Sequence, residues 1–340
     1  MKVGITGNPQ VGKTTLFRLL TGSSPGSSLS RVGVMEVPDE RLPQLSRIFE
    51  RPKSTYARID LVDIMHHRGQ DLLNEVRNLD AVVIVVGAFI GEEEVKESLD
   101  FVDSLVTDFY VADLVSVENR LEKLQSKKTK PVNQMEIPFL MKCKRALDED
   151  LLLKEVEFAP HEIDFLSSFS FYTLKPIILA VNLSEEQLLS GTYPGMKDVR
   201  ELADAQGYEV VRFSGVLEEE ISALSPEDGS LFLQEFGLEE SGIARLAKVT
   251  YSALGLITFF TVSADEVRAW SIPKGTTVKE AAGKIHTDLE RGFIRADVVS
   301  YQDLISAGSL KASKEKGLLR VEGKEYIVQD GDVINVRFNV

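Results

Sequence analysis

The sequence predicts an α/β fold, a doubly wound sheet with helices on its faces, and three observations point there. Strand-like apolar runs alternate with helical segments through the first hundred residues and again after residue 175. One of those runs, Ala81 to Phe89 (AVVIVVGAF), is the continuous β-branched stretch expected of a parallel strand buried on both faces. The first run, Val3 to Thr6, leads straight into Gly7-Asn8-Pro9-Gln10-Val11-Gly12-Lys13-Thr14, a gapless match to G-x-x-x-x-G-K-[ST].

The remaining elements follow in chain order. Gly12 to Leu20 and Gly69 to Asn78 read as helices, and Ala57 to Ile64 (ARIDLVDI) as a strand that carries Asp63 near its end. Pro176 to Leu183 (PIILAVNL) and Tyr208 to Phe213 (YEVVRF) are further strands. Between them the rhythm breaks. Leu99 to Gln125 places Leu105, Phe109, Ala112, Leu114, Val117, Leu121 and Leu124 at helical spacing among charged residues. A Lys-rich turn (Ser126 to Asn133) and a second helical stretch (Glu136 to Leu153) follow, which together predict an antiparallel helical hairpin inserted in the α/β domain. Such an arm reads either as a solvated amphipathic pair or as a docking element for a partner. From Leu254 onward the texture is that of a small α+β module. Strands are expected at Ile257–Thr261, Ala269–Ile272, Arg320–Ile327 and Val333–Phe338, with a helix at Thr277–Ile285 and hairpin turns at Glu322-Gly323 and Asp330-Gly331. The domain plan is therefore residues 1–98 with 175–253, an insert at 99–174, and a module at 254–340.

Composition narrows the function classes. The 340-residue chain carries a formal net charge of -14, which argues against wrapping a nucleic acid with its whole surface. The deficit is uneven: Gly255 to Val340 holds 12 basic and 12 acidic residues, so the C-terminal module can still approach a polyanion. No apolar run approaches the roughly 20 residues of a membrane span. The single cysteine, Cys143, excludes an intramolecular disulfide. A cytoplasmic monomer is the default expectation.

The glycine loop carries the chemistry. Asn8, Pro9, Gln10, Val11 and Gly12 form the loop, whose glycines let the backbone amides close around the phosphates. The helix that opens at Lys13 adds a favourable dipole for the anion. Lys13 is placed to contact the β- and γ-phosphates, and the Thr14 hydroxyl to ligate Mg2+, with Thr15 beside it. Asp63 is a candidate for the Mg2+ hydration shell, or else a loop-starting aspartate. Asn182-Leu183-Ser184-Glu185 stands where GTPases carry N-K-x-D. The missing Lys and the longer Glu185 side chain weaken guanine recognition and favour ATP over GTP. Ser214 and Gly215, after the Tyr208–Phe213 strand, complete the nucleotide set.

These residues carry a resemblance. GNPQVGKTTLF, VGVMEVPDERL and KPIILAVNLSE, then FGLEESGIARL, LGLITFFT, EVRAWSIPKGTT, AAGKIHTDLERGFIRADVVSY and YIVQDGDVINVRFNV are similar to the Obg-like ATPase family of the YchF type. The resemblance spans nearly the whole chain and is weakest from Ser23 to Arg77 and in the helical insert. It implies a G domain, an inserted coiled-coil arm and a C-terminal TGS domain. It also implies ATP hydrolysis in preference to GTP, an N-x-x-E base motif at Asn182 and Glu185, and association with ribosomes or RNA in translation or stress responses. His286 and Arg291 match the family and are candidates for such a contact.

The sequence departs from that family at the switches. After Asp63 the family has I-A-G-L, whereas this chain has Ile64-Met65-His66-His67. The family's Thr-Ile-Glu-Pro-Asn is replaced by Ser27-Ser28-Leu29-Ser30-Arg31, leaving Ser27 as the candidate Mg2+-sensing hydroxyl. Gln10 stands where an Asn resembling a K+ ligand is usual, so K+ is a further candidate cation. His66 and His67 are candidates to position water, near-neutral imidazoles in the switch, or else exposed loop residues. Two readings remain open: a slow Mg2+-dependent ATPase, and a hydrolysis-deficient adaptor gated by nucleotide.

Overall fold

The computed structural model describes residues 1–23, 31–65, 69–126 and 134–339. The chain divides into two compact units, Met1–Gly33 with Asp60–Ile243, and Val34–Ile59 with Ala244–Val340. The strands of the first three-fifths of the chain are β1 (Lys2–Gly7), β2 (Val32–Val37), β3 (Lys53–Thr55), β4 (Ala57–Asp63), β5 (Ala81–Gly87), β6 (Ile177–Asn182) and β7 (Glu209–Phe213).

The first sheet has the order β2-β4-β1-β5-β6-β7. The pairs β4–β1, β1–β5, β5–β6 and β6–β7 are parallel, so each needs a crossover rather than a hairpin. Every residue of β5 and β6 is buried, as the unbroken apolar runs predict. The register sets Ile5 beside Asp63, Gly7 beside Val85, Gly87 beside Asn182, and Asn182 beside Phe213. The carboxyl ends of the central strands therefore finish close together. This confirms the α/β class and places the glycine loop at that edge, where ligands bind in doubly wound sheets.

The inserted helix starts earlier than its apolar spacing suggests. It runs Glu92–Gln125 rather than from Leu99, with Glu92, Glu93 and Glu94 in the first turn, where negative charge suits the helix dipole. Its length is about 50 Å. Val95, Val102, Leu105 and Phe109 pack it onto the sheet core. Val117, Leu121 and Leu124 then meet Phe139, Leu140 and Cys143 of a second helix, Glu136–Asp148. A 3-10 turn (Leu153–Glu155) and a helix (Pro160–Ser168) bring the chain back, with the Phe139 and Phe165 rings stacked at 5.2 Å. Burial pushes the Cys143 thiol up to about 12, so this cysteine behaves as a core residue.

One buried carboxylate ties the long helix to the returning chain. Asp113 is 1% exposed. It accepts bonds from the Tyr172 amide (2.9 Å), the Thr173 amide (2.8 Å) and the Thr173 hydroxyl (2.7 Å). Burial raises its carboxyl above the ordinary range, against these bonds.

The second unit is built on β8 (Leu256–Val262), β9 (Glu266–Pro273), β10 (Phe293–Ser300), β11 (Arg320–Glu322) and β12 (Asp332–Phe338), in the order β11-β10-β12-β8-β9-β3. Helix Val278–Ile285, closed by a Thr277/Glu280 capping box, packs Val278 and Ala281 against Phe259, Ala296 and Val298. A second helix, Arg41–Phe49, buries Leu42 and Leu45. Arg41 pairs with Asp39 (2.7 Å) and Asp330 (2.6 Å) and lies over the Phe260 ring.

Two expectations for this module are corrected. The strand expected at Arg320–Ile327 ends at Glu322 and pairs with β10, not with β12. The turn at Asp330-Gly331 is therefore no hairpin between them. The Asp330 carboxylate is instead taken up by the Thr258 amide (2.8 Å) and Arg41. The pairing partner of both β11 and β12 is β10, whose mixed sequence FIRADVVS hides it from a periodicity reading.

Asp113→Ala leaves three donors at Tyr172 and Thr173 without their acceptor. It should cost about 3 kcal/mol of stability, read by urea unfolding. A loss below about 0.5 kcal/mol would show that this carboxylate does not hold the base of the insert.

Candidate functional site

The loop after β1 is shaped by backbone conformation. Gly12 has φ +100, a left-handed geometry that favours glycine, and a Cβ there would run into the Asn182 amide nitrogen. Gln10 adopts φ 65 without being glycine, a strained conformation of the kind found in binding loops. Helix Lys13–Thr21 opens directly behind Gly12, so its first amides face the loop.

Lys13 folds back over the loop. Its ammonium donates to the carbonyls of Gly7 (3.0 Å) and Asn8 (2.6 Å). Burial lowers its pKa and the negative charge of Asp63 opposes that shift. The aspartate at the end of β4 is thus electrostatically coupled to the lysine. Thr14 is exposed at the helix start and Asp63 is half-buried. A hydroxyl and a carboxylate are the hard oxygen donors that suit Mg2+. Among the described residues no group of three or more His, Cys, Asp or Glu is placed to hold a metal ion. A cation here would need phosphate oxygens and water to complete its shell, which is how Mg2+ sits in phosphate loops.

Asn182 closes the loop from the side. Its Nδ2 donates to the Val11 carbonyl (3.1 Å), and its Oδ1 accepts from the Gly215 amide (3.0 Å). Asn182 is 6% exposed. One amide therefore clips the phosphate loop to the start of helix Gly215–Ser222. An ion pair between Arg18 and Glu219 joins the same two helices. Leu183 is buried in the sheet core, its amide bonded to the Phe213 carbonyl (2.8 Å). Ser184 caps helix Glu185–Ser190, which leaves Glu185 exposed in its first turn. Ser214 is fully buried and its hydroxyl has no partner among the described residues.

The structure thus gathers Asn8 to Thr15, Asn182 and Ser214–Gly215 at one edge of the sheet, with Asp63 near Lys13. Ser27, His66 and His67 lie outside the described residues. One residue, Gly87, and one contact, from Asn8 to Glu97, are not evident from motif matching. Gly87, at the end of β5, leaves room for Val11, which a Cβ would press upon; a glycine ending a β-branched run is the signal that marks it. Asn8 also donates its side-chain amide to the Glu97 carbonyl (2.9 Å), joining the loop to helix Glu92–Gln125. His286 caps helix Thr287–Arg291, accepting from the Asp288 amide (3.1 Å).

Removing the clip tests its structural weight. Asn182→Ala should cost about 2 kcal/mol of stability, because the Val11 carbonyl and Gly215 amide lose their buried partner. Thermal unfolding without nucleotide measures it; an unchanged melting temperature would mean that the loop is held by other contacts.

Comparison with known proteins places these features in a family. The family model YchF-GTPase_C, described as a protein of unknown function, matches residues 256–339. The chain is 37% identical to a protein of Bacillus subtilis named ribosome-binding ATPase YchF, over 100% of both chains. It is 36% identical to the protein of the same name from Escherichia coli O157:H7, over 100% of this chain and 99% of that one. It superposes on the structure of the Schizosaccharomyces pombe YchF GTPase with a TM-score of 0.87 and 27% identity, over 99% of this chain and 97% of that one. Among the described residues no helix is long and apolar enough to cross a membrane. With full-length relatives above 30% identity and a fold to match, the chain belongs to the YchF family.

Proposed function

We propose that this protein binds nucleoside triphosphate with Mg2+ and hydrolyses it slowly, ATP in preference to GTP, as a ribosome-associated regulator in the cytoplasm. The observation that carries the reading is the loop itself: Gly12 in left-handed geometry, Lys13 held over the Gly7 and Asn8 carbonyls, and Asn182 clipping Val11. Loop amides and the Lys13 ammonium would bear the charge that builds on the phosphates as the terminal phosphoryl group leaves. Thr14 and, through water, Asp63 would hold Mg2+, which supplies further positive charge at the same oxygens.

ATP preference rests on the base motif. Leu183 is buried where a GTPase carries Lys, and Glu185 has one more methylene than the Asp that pairs guanine. The relatives' names differ here, since the bacterial proteins are named ATPases and the Schizosaccharomyces pombe protein a GTPase. Ribosome association is taken from the bacterial names. We assign residues 1–98 and 175–253 to a G domain, 99–174 to the arm and 254–340 to a TGS domain. The second reading, a nucleotide-gated adaptor with little turnover, is favoured by His66-His67 where the family carries Gly and a hydrophobic residue.

Multiple-turnover hydrolysis of ATP and GTP, with Mg2+ and with or without K+ and ribosomes, separates these readings. ATP turnover that falls by about 100-fold or more in Lys13→Ala supports the enzyme. Tight ATP binding without turnover, even with ribosomes, supports the adaptor and refutes the enzyme. Glu185→Asp should raise GTP binding relative to ATP; an unchanged ratio would remove Glu185 from base selection.

A further inference from the structure

The second unit's sheet has one face sealed and one face partly open. Helix Val278–Ile285 covers the side that holds Ala296, Val298 and Ile334. On the opposite side the register places Arg295 directly across from Arg337, Asp297 across from Asn335, and Val321 across from Asp297. The register slips between Phe293 and Arg295, and Ile294 is exposed there. This open side floors a groove of about 1050 Å³, lined also by Phe49, Arg51, Leu310, Lys311 and Lys314.

Its charge is unusual for this chain. Five cationic side chains and one carboxylate line it, in a protein whose net charge is -14. The carboxylate, Asp297, is taken by Arg337 (2.9 Å). Arg295, Lys311 and Lys314 have no ion-pair partner among the described residues. Arg337 is neutralised by Asp297, so the cation left over on this pair of facing strands is Arg295. Between the cations lie aliphatic groups: Ile294 is 58% exposed, Val321 61% and Leu310 40%. An apolar floor rimmed by charge is the character of an interaction site rather than of ordinary surface.

We propose that this groove is a docking site for a short acidic segment of a partner protein, with aliphatic side chains set among its carboxylates. Charge complementarity selects an anionic partner. The floor then decides the class. Single-stranded nucleic acid is held on successive aromatic rings by stacking; this groove offers one half-buried ring, Phe49, and its exposed apolar groups are the aliphatic Ile294, Val321 and Leu310. Aliphatic side chains on a peptide would bury against Ile294 and Val321 while carboxylates reach Arg295, Lys311 and Lys314. No residue lining the groove belongs to the phosphate loop, so the inference goes beyond the nucleotide reading and stands without it.

Fluorescence anisotropy on the full chain tests it with two labelled probes of equal formal charge, a peptide repeating Glu-Glu-Leu and an oligouridylate. Two variants are compared with the parent protein: Arg295→Glu with Lys314→Glu, and Ile294→Ser with Val321→Ser. Thermal unfolding confirms that each variant folds. The proposal expects peptide binding that weakens about tenfold in the charge variant and about fivefold in the aliphatic variant, with the oligouridylate bound more weakly than the peptide. Tighter binding of oligouridylate, insensitive to the aliphatic variant, would reassign the groove to nucleic acid. Peptide binding unaffected by either variant, or no peptide binding, would overturn the proposal.

Discussion

The register of the parallel strands is the constraint on which the site depends. Because Gly7, Asp63, Gly87, Asn182 and Phe213 finish near one edge of the sheet, segments far apart in sequence meet there. The phosphate loop is then completed by a residue 171 positions away, when Asn182 bonds the Val11 carbonyl. A slip of one residue in β6 would turn Asn182 into the other layer and leave both Val11 and Gly215 unpartnered. The two buried hydrogen bonds of Asn182, which a slip would break, oppose it.

Around that edge the molecule uses a few polar contacts between elements that apolar packing alone would leave loosely oriented. Asp113 fastens helix Glu92–Gln125 to Tyr172 and Thr173. Asn8 joins the same helix to the phosphate loop through Glu97. The arm helix thus touches both the chain that returns to β6 and the loop that would hold phosphate. In the second unit Arg41 has the corresponding task, joining Asp39 and Asp330. Its guanidinium is held charged by both carboxylates despite partial burial.

Much of this was legible in sequence, for identifiable reasons. The strands β1, β5 and β6 announce themselves because burial on both faces demands unbroken apolar runs. The phosphate loop is legible because its glycines and lysine have few substitutes. Residues 34–59 were harder. Their helix Arg41–Phe49 is short, β3 has only three residues, and the stretch belongs with the second unit although it runs into the first residues of β4. In the C-terminal module, Gly323 and Asp330-Gly331 do mark turns, but neither is the hairpin expected there, because β11 is an edge strand paired with β10. Asn182 could be picked out as a site residue, whereas its use as a clip depends on Val11 and Gly215 arriving beside it, which only the register supplies.

The central claim is that the phosphate loop and the Ser214–Gly215 turn form one site joined through Asn182. Hydrogen exchange of backbone amides, with and without Mg2+ and a non-hydrolysable ATP analogue, tests it most directly. The account predicts that residues 8–15 and 214–215 gain protection together, and that Asn182→Ala uncouples them. Protection of residues 8–15 with 214–215 unchanged in the parent protein would contradict it.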